Sequence, residues 1–296
     1  FIQGLIGVHK RYLGGYFENL KEDRKYLKGE SLVCKLKTKL RKRNFLRQAD
    51  IEKETISNCK NVIVDSDFAK AYCSSISEDI MCYNHILLPN SLFYQKKWDL
   101  EKCEKHTIFT VYGSSAEKGT QNLLKAVAIV RRKYPDVKVI IPGGYQLNWE
   151  GKLISSKSDA FQNVMYNMIK DLELENNVIF TGRLSAEQMA NTMEQCHLFV
   201  NPSCMEVHAL SLRESMIVGL PCISAQCGSV VEFLQHKVNG LLYRYEEYES
   251  LAYYIDILFN NPGMCSDLAA KASKTFDNSD SKSLDLNGIY KSLFAE

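Results

Sequence analysis

No stretch of this chain approaches the roughly 18 consecutive apolar residues of a membrane-spanning helix, and no apolar segment with a small-residue cleavage site stands near Phe1. The expectation is a soluble, cytoplasmic protein. None of the ten cysteines forms a C-x-x-C pair, and most sit in apolar runs where a reduced thiol packs as a small hydrophobe. That argues against a disulfide framework and against a structural zinc site. Internal repeats and low-complexity tracts are missing. So is a complete G-x-G-x-x-G fingerprint, since Gly143-Gly144 after Ile141-Pro142 reads as a turn. What is present, 45% apolar and 24% charged residues over 296 positions, is enough for two packed domains.

The net charge of +2 conceals a division, because residues 1–60 hold 15 Lys+Arg against 7 Asp+Glu and the remainder holds 22 against 28. Much of the excess falls in residues 34–47, where Lys35, Lys37, Lys39, Arg41, Lys42, Arg43 and Arg47 alternate with Leu36, Leu40, Phe45 and Leu46. Such a segment is either a solvated helix face or a peripheral contact with an anionic membrane. Nucleic acid is not expected, as no RNA- or DNA-binding signature accompanies the charge.

Phe1-Ile2-Gln3-Gly4-Leu5-Ile6-Gly7 reads like the end of a buried strand running into a glycine loop, as if the chain were cut into an amino-terminal domain. Up to residue 102 the pattern is mixed. It offers helical periodicity from Gln48 to Cys59, a strand Asn61–Val64, a short helix after Ser66 and an apolar run at Ile86-Leu87-Leu88. Beyond His106, short β-rich runs alternate with helical periods. Six strands are predicted at Thr107–Tyr112, Val137–Ile141, Val178–Thr181, Leu198–Asn201, Pro221–Ala225 and Gly240–Tyr243. Helices are predicted at 119–134, 159–173, 185–195, 209–218 and 230–236, with two more after Glu246 and Pro262. The reading is an α/β protein: a partial acceptor-side domain over 1–102, a Rossmann-like domain over 103–275, and a tail, 276–296, forming a helix that returns to the first domain. The crevice belongs outside the carboxyl ends of the strands, where the loops at 113–119, 142–158, 182–185, 202–210 and 226–230 converge.

The most informative stretch runs from Asn201 to Pro221. A strand ends in Pro202-Ser203, Glu206 stands on the loop, and a helix begins with small residues before a Gly219-Leu220-Pro221 stop. A helix start presents unpaired N–H groups and a partial positive charge, which suit a phosphate. Glu206 and Glu214 can face one ligand, and carboxylates suit sugar and ribose hydroxyls because each accepts several hydrogen bonds. Glu22 and Glu30 share the spacing but lack the strand, turn and helix around it. Asp65-Ser66-Asp67 has the form of a metal-binding D-x-D, yet it joins a strand to a helix and reads as a turn and N-cap. His197 and His208 have no partners at metal-ligand spacing.

This stretch resembles the hallmark of the retaining glycosyltransferases of family 4, the glycosyl transferases group 1 with the GT-B fold. Pro202-Ser203, Glu206, Glu214, Ser215-Met216 and Gly219-Leu220-Pro221 follow its order. So do Glu117-Lys118-Gly119, Val178 to Gly182, Gly228-Ser229-Val230-Val231-Glu232 and Asn239 to Tyr243. The resemblance implies that Glu206 lies near the donor sugar, that Glu214 holds the ribose and that Lys118 contacts the diphosphate. It further implies that Gly113, Ser114 and Arg183 border the donor, and that backbone amides at Ala209, Leu210 and Ser211 cradle the phosphates. The donor implied is a nucleotide diphosphate sugar, UDP- or GDP-linked, used without cofactor or metal. The acceptor implied is a glycan or lipid-linked hydroxyl.

Three departures accompany the resemblance. Ser114 stands where the family usually has an arginine, Ser229 replaces a second glycine, and the acceptor-side histidine is matched only by Gln3, with His9 a few residues on. A sugar-nucleotide epimerase of the same fold would bring further acid/base groups. A nucleotide-sugar-binding module without catalysis is compatible with the change at Ser114.

Overall fold

A computed structural model describes residues 25–26, 32–86, 89–110, 113, 115–156, 159–276 and 286–294. Gln3, His9 and Ser114 lie outside these residues, as do Leu87 and Leu88 of the apolar run.

The amino-terminal part begins with a long helix, α1 (Leu32–Ser57). It starts sixteen residues before the predicted position at Gln48, so the basic segment 34–47 is helical. The sequence signal was weak because Lys, Arg and Leu favour helix individually but form no sustained apolar stripe. Next come β1 (Asn61–Val64), α2 (Asp67–Ser74) and β2 (Met81–Asn84), with β1 and β2 paired in parallel from Asn61↔Met81 to Val64↔Asn84. Val62, Val64, Ala69 and Cys73 join the same continuous buried cluster as Ile108, Leu123 and Val139. A short helix, α3 (Ser91–Tyr94), leads to Trp98, whose indole donates to the Cys196 carbonyl at 2.7 Å and whose N–H donates to Val218 at 2.8 Å.

Six parallel strands form the second sheet: β3 (Glu104–Thr110), β4 (Lys138–Pro142), β5 (Val178–Gly182), β6 (Cys196–Asn201), β7 (Cys222–Ala225) and β8 (Leu241–Tyr243). All six predicted strands are present. Their spatial order is β5-β4-β3-β6-β7-β8. The chain builds outward from β3 to one edge, then returns to β6 and builds to the other. β6 and β7 are buried at every residue, as strands covered on both faces must be. The covering helices are α4 (Thr120–Val130), α5 (Ala160–Asp171), α6 (Ala186–Gln195), α7 (Leu210–Val218), α8 (Tyr248–Asn260) and α9 (Pro262–Lys274). A further helix, α10 (Leu286–Phe294), lies in the tail. Between β3 and β6 the strand order reverses, and the crevice of such a sheet opens at that switch point.

The helix predicted at 230–236 is instead a single 3₁₀ turn, Gly228–Glu232. Gly228 has φ +45°, which no α-helix accepts. At the far end the Asn239 side chain accepts from the Gln235 N–H and donates to the Phe233 carbonyl, closing the segment before a second turn can form.

Candidate active site

The loop after β6 bears Glu206, and two glycines fix it from outside. Gly119 sits at φ +69°, and a Cβ there would lie 1.8 Å from the Pro202 carbonyl oxygen. Beside it the Cys204 N–H donates to the Glu117 carbonyl at 2.9 Å. Gly228 presses in the same way on Glu206, where a Cβ would come within 1.9 Å of the carbonyl oxygen, and that oxygen accepts from the Ser229 N–H at 3.0 Å. The Lys-Gly, Pro-Ser and Gly-Ser segments, far apart in sequence, are therefore one packed unit. Replacing Gly228 by alanine is expected to cost roughly 2 kcal/mol or more, from left-handed strain together with displacement of the Glu206 loop. Thermal unfolding of the variant measures it, and an unchanged midpoint would contradict the packing.

This packing brings Lys118 to Glu206. The Lys118 Nζ lies 2.8 Å from Glu206 Oε1, with the carboxylate side chain largely buried. Burial pulls the Lys118 ammonium down from its usual range, but the charge and hydrogen bond of Glu206, helped by Glu117, more than reverse this and raise it. Both groups border the start of α7. Ala209, just before that helix, adopts the left-handed conformation (φ 46°, ψ 43°), and no side chain caps it. Leu212 and Arg213 bond back to the Ala209 carbonyl, while the N–H groups of Ala209, Leu210 and Ser211 take no acceptor among the described residues. An uncapped helix start beside an ammonium is a place for an anion.

Glu214 lies inside α7 and is 8% exposed, with no hydrogen bond among the described residues. Burial pushes its carboxyl up to about 7. Hydroxyl groups that donate to it favour the ionised form, so a nucleoside binding here should expel a proton below about pH 7. Affinity for uridine or guanosine, which carry no phosphate of their own to titrate, is expected to rise from pH 5.5 to 7.5 and to lose that rise in Glu214→Gln. Calorimetry at several pH values tests it; a wild-type affinity flat across this range would refute the role.

The remaining predicted positions are spread around the same end of the sheet. Gly113 lies past the end of β3, where its carbonyl accepts from the Tyr145 hydroxyl, and a Cβ there would meet Thr120 Oγ1 at 2.0 Å. Arg183 is exposed after Gly182 at the carboxyl end of β5, with no ion-pair partner among the described residues. Cys204, two residues before Glu206, is no nucleophile: burial, then the charges of Glu117 and Glu206, push its thiol up to about 12. His197 is at the opposite end, where its ring accepts from the His106 N–H and burial holds it down to about 4.

Sequence reasoning missed three contacts. Asp65, 3% exposed at the end of β1, pairs with Nδ1 of His208. Ser66 caps α2 by accepting from Ala69 N–H at 3.2 Å, as predicted, but the carboxylate of Glu232 also takes the N–H groups of Asp67 (3.1 Å) and Phe68 (2.8 Å). Arg213 is buried over the Phe233 ring at 4.9 Å. The only sequence signal for these was the D-x-D turn itself.

A parallel, doubly wound sheet with an uncapped helix start and a paired lysine and glutamate near its switch point defines a Rossmann-like α/β domain. The chain belongs to the glycosyl transferases group 1 family, whose profile matches residues 94–275. An uncharacterized glycosyltransferase of Haemophilus influenzae is 29% identical over 185 residues, which are 62% of this chain and 47% of that protein. The alpha-monoglucosyldiacylglycerol synthase of Streptococcus pneumoniae is 26% identical over 170 residues, 57% of this chain and 35% of that one. The chain thus spans less than half the length of these relatives. Among solved structures, HepE of Anabaena in complex with UDP aligns with a TM-score of 0.58 at 21% identity, covering 73% of this chain and 58% of that one. The fold is GT-B type, with a Rossmann-like domain preceded by an amino-terminal α/β part.

Proposed function

We propose that this chain transfers a sugar from a nucleotide diphosphate sugar to an acceptor hydroxyl, with retention of anomeric configuration. The observation that carries the reading is the Lys118–Glu206 pair, 2.8 Å apart, at the uncapped start of α7. The diphosphate lies against the N–H groups of Ala209, Leu210 and Ser211, with Lys118 beside it. Glu206 accepts hydrogen bonds from the sugar, and Glu214 from the ribose. Arg183 and Gly113 border the nucleotide, together with Ser114. Gln3 and His9 belong to the acceptor side.

The chemistry is electrostatic. The bond between the anomeric carbon and the phosphate oxygen breaks, the acceptor oxygen bonds to that carbon on the same face, and the acceptor proton passes to the leaving phosphate. Negative charge grows on the phosphate as the bond breaks, and a cation already in place there lowers the barrier. No protein nucleophile is called on, which accords with the inert Cys204.

The acceptor we favour is a lipid-linked glycan or growing surface polysaccharide, used at the inner face of a membrane. α1 supports this, because Lys37, Lys39, Arg43 and Arg47 are exposed beside exposed Leu36 and Leu40. The test is transfer from UDP- and GDP-linked sugars in excess EDTA, with the anomeric configuration of the product read by NMR. A product of inverted configuration would overturn the reading, and so would activity that returns only with Mn²⁺.

A further inference from the structure

The corner that joins β1 to α2, residues 65–68, is tied to the Glu206 loop on two sides. On one side Asp65 pairs with His208, two residues past Glu206. On the other, Glu232 reaches the first turn of α2, its Oε2 accepting from the Asp67 N–H at 3.1 Å and its Oε1 from the Phe68 N–H at 2.8 Å. Glu232 ends the 3₁₀ turn that begins at Gly228, and near the start of that turn the Ser229 N–H holds the Glu206 carbonyl. Helix α2 does not need this carboxylate for its own sake. Ser66 already caps it by taking the Ala69 N–H, and the remaining N–H groups of an exposed helix start are ordinarily met by water. Asp67 and Glu232 are both exposed. What Glu232 adds is direction: two charge-assisted bonds to adjacent N–H groups fix angle as well as distance, and the positive end of the helix favours the anion that accepts them. An uncharged side chain at 232 keeps at most one of the two.

The groups assigned to the donor, Lys118, Glu206, the start of α7 and Glu214, all belong to the six-stranded domain, whereas the 65–68 corner follows a strand of the separate two-stranded sheet. Glu232 therefore joins the part assigned to the acceptor to the loop assigned to the donor sugar. We propose that Glu232 is a positioning residue: by gripping the start of α2 it keeps the acceptor-side part in register with Glu206, so that the acceptor hydroxyl meets the sugar in a reactive geometry. This rests on the glycosyltransferase reading. Misplacing reacting groups by about 1 Å can cost about a hundredfold in rate, so a contact that touches neither substrate can still govern turnover. The Asp65-Ser66-Asp67 turn becomes the joint between the two parts.

The test uses the full chain, with transfer from UDP- and GDP-linked sugars as the rate measurement and UDP and GDP as binding probes. Glu232→Ala should lower kcat for transfer about tenfold or more and leave nucleoside diphosphate affinity within about twofold of the wild type. Glu232→Gln, which keeps one acceptor oxygen, should recover part of the loss. Glu232→Lys, repelled by the helix start, should fall below Glu232→Ala at the same diphosphate affinity. Unchanged kcat in Glu232→Ala would overturn the proposal. A diphosphate affinity that falls as far as kcat would mean a merely structural tie and would also overturn it, as would equal losses in all three variants. If the wild type binds neither diphosphate and transfers from neither donor, the glycosyltransferase reading itself fails; if it transfers and Glu232→Ala transfers equally well, only this proposal fails.

Discussion

Glu206→Ala is expected to lower kcat for sugar transfer by at least about 10²- to 10³-fold while leaving nucleoside diphosphate affinity intact or slightly improved. The two halves of that result have one cause. The carboxylate is assigned to the sugar, so its loss removes hydrogen bonds that position the reacting carbon. Its removal also releases Lys118, whose ammonium is engaged at 2.8 Å, to meet the diphosphate at full charge. Turnover against saturating donor and calorimetry with UDP or GDP separate the effects. Transfer and diphosphate affinity falling together would move Glu206 to the nucleotide.

Lys118→Ala should lower turnover and diphosphate affinity together. Growing phosphate charge then meets the Glu206 carboxylate with no cation between them, so kcat should fall about a hundredfold or more and diphosphate affinity should fall with it. The loss should be the same in excess EDTA as without it. If Mn²⁺ restores the variant, a metal can take the place of the ammonium, and Asp67 becomes a candidate ligand. Asp65 is already committed to His208.

The six-stranded sheet was legible because each strand is a compact apolar run whose partners bury both faces, as in Leu198-Phe199-Val200. The proposed place of the donor rests on it, since Glu206 and the start of α7 succeed a central strand directly. β2 was not legible: Met81-Cys82-Tyr83-Asn84 is half-buried at best and pairs on one side only among the described residues. The pairing of Lys118 with Glu206 was beyond the sequence as well. It depends on Gly119 and Gly228 letting three loops close to within contact, and a glycine in a string of letters does not say which backbone it admits. Glu232 illustrates the same limit. Its place after Gly228 could be read, but its service to the N–H groups of Asp67 and Phe68 arises from packing across some 165 residues of chain.

The central claim, that the switch point between β3 and β6 binds a nucleotide diphosphate sugar, is tested most directly by thermal unfolding against UDP-, GDP- and ADP-linked donors. A donor at a hundred times its dissociation constant adds about 2.7 kcal/mol of stability. The account predicts a clear upward shift with one class of base, diminished in Lys118→Ala and in Glu214→Ala. Unfolding temperatures that no nucleotide sugar raises, or that rise equally in both variants, would contradict it.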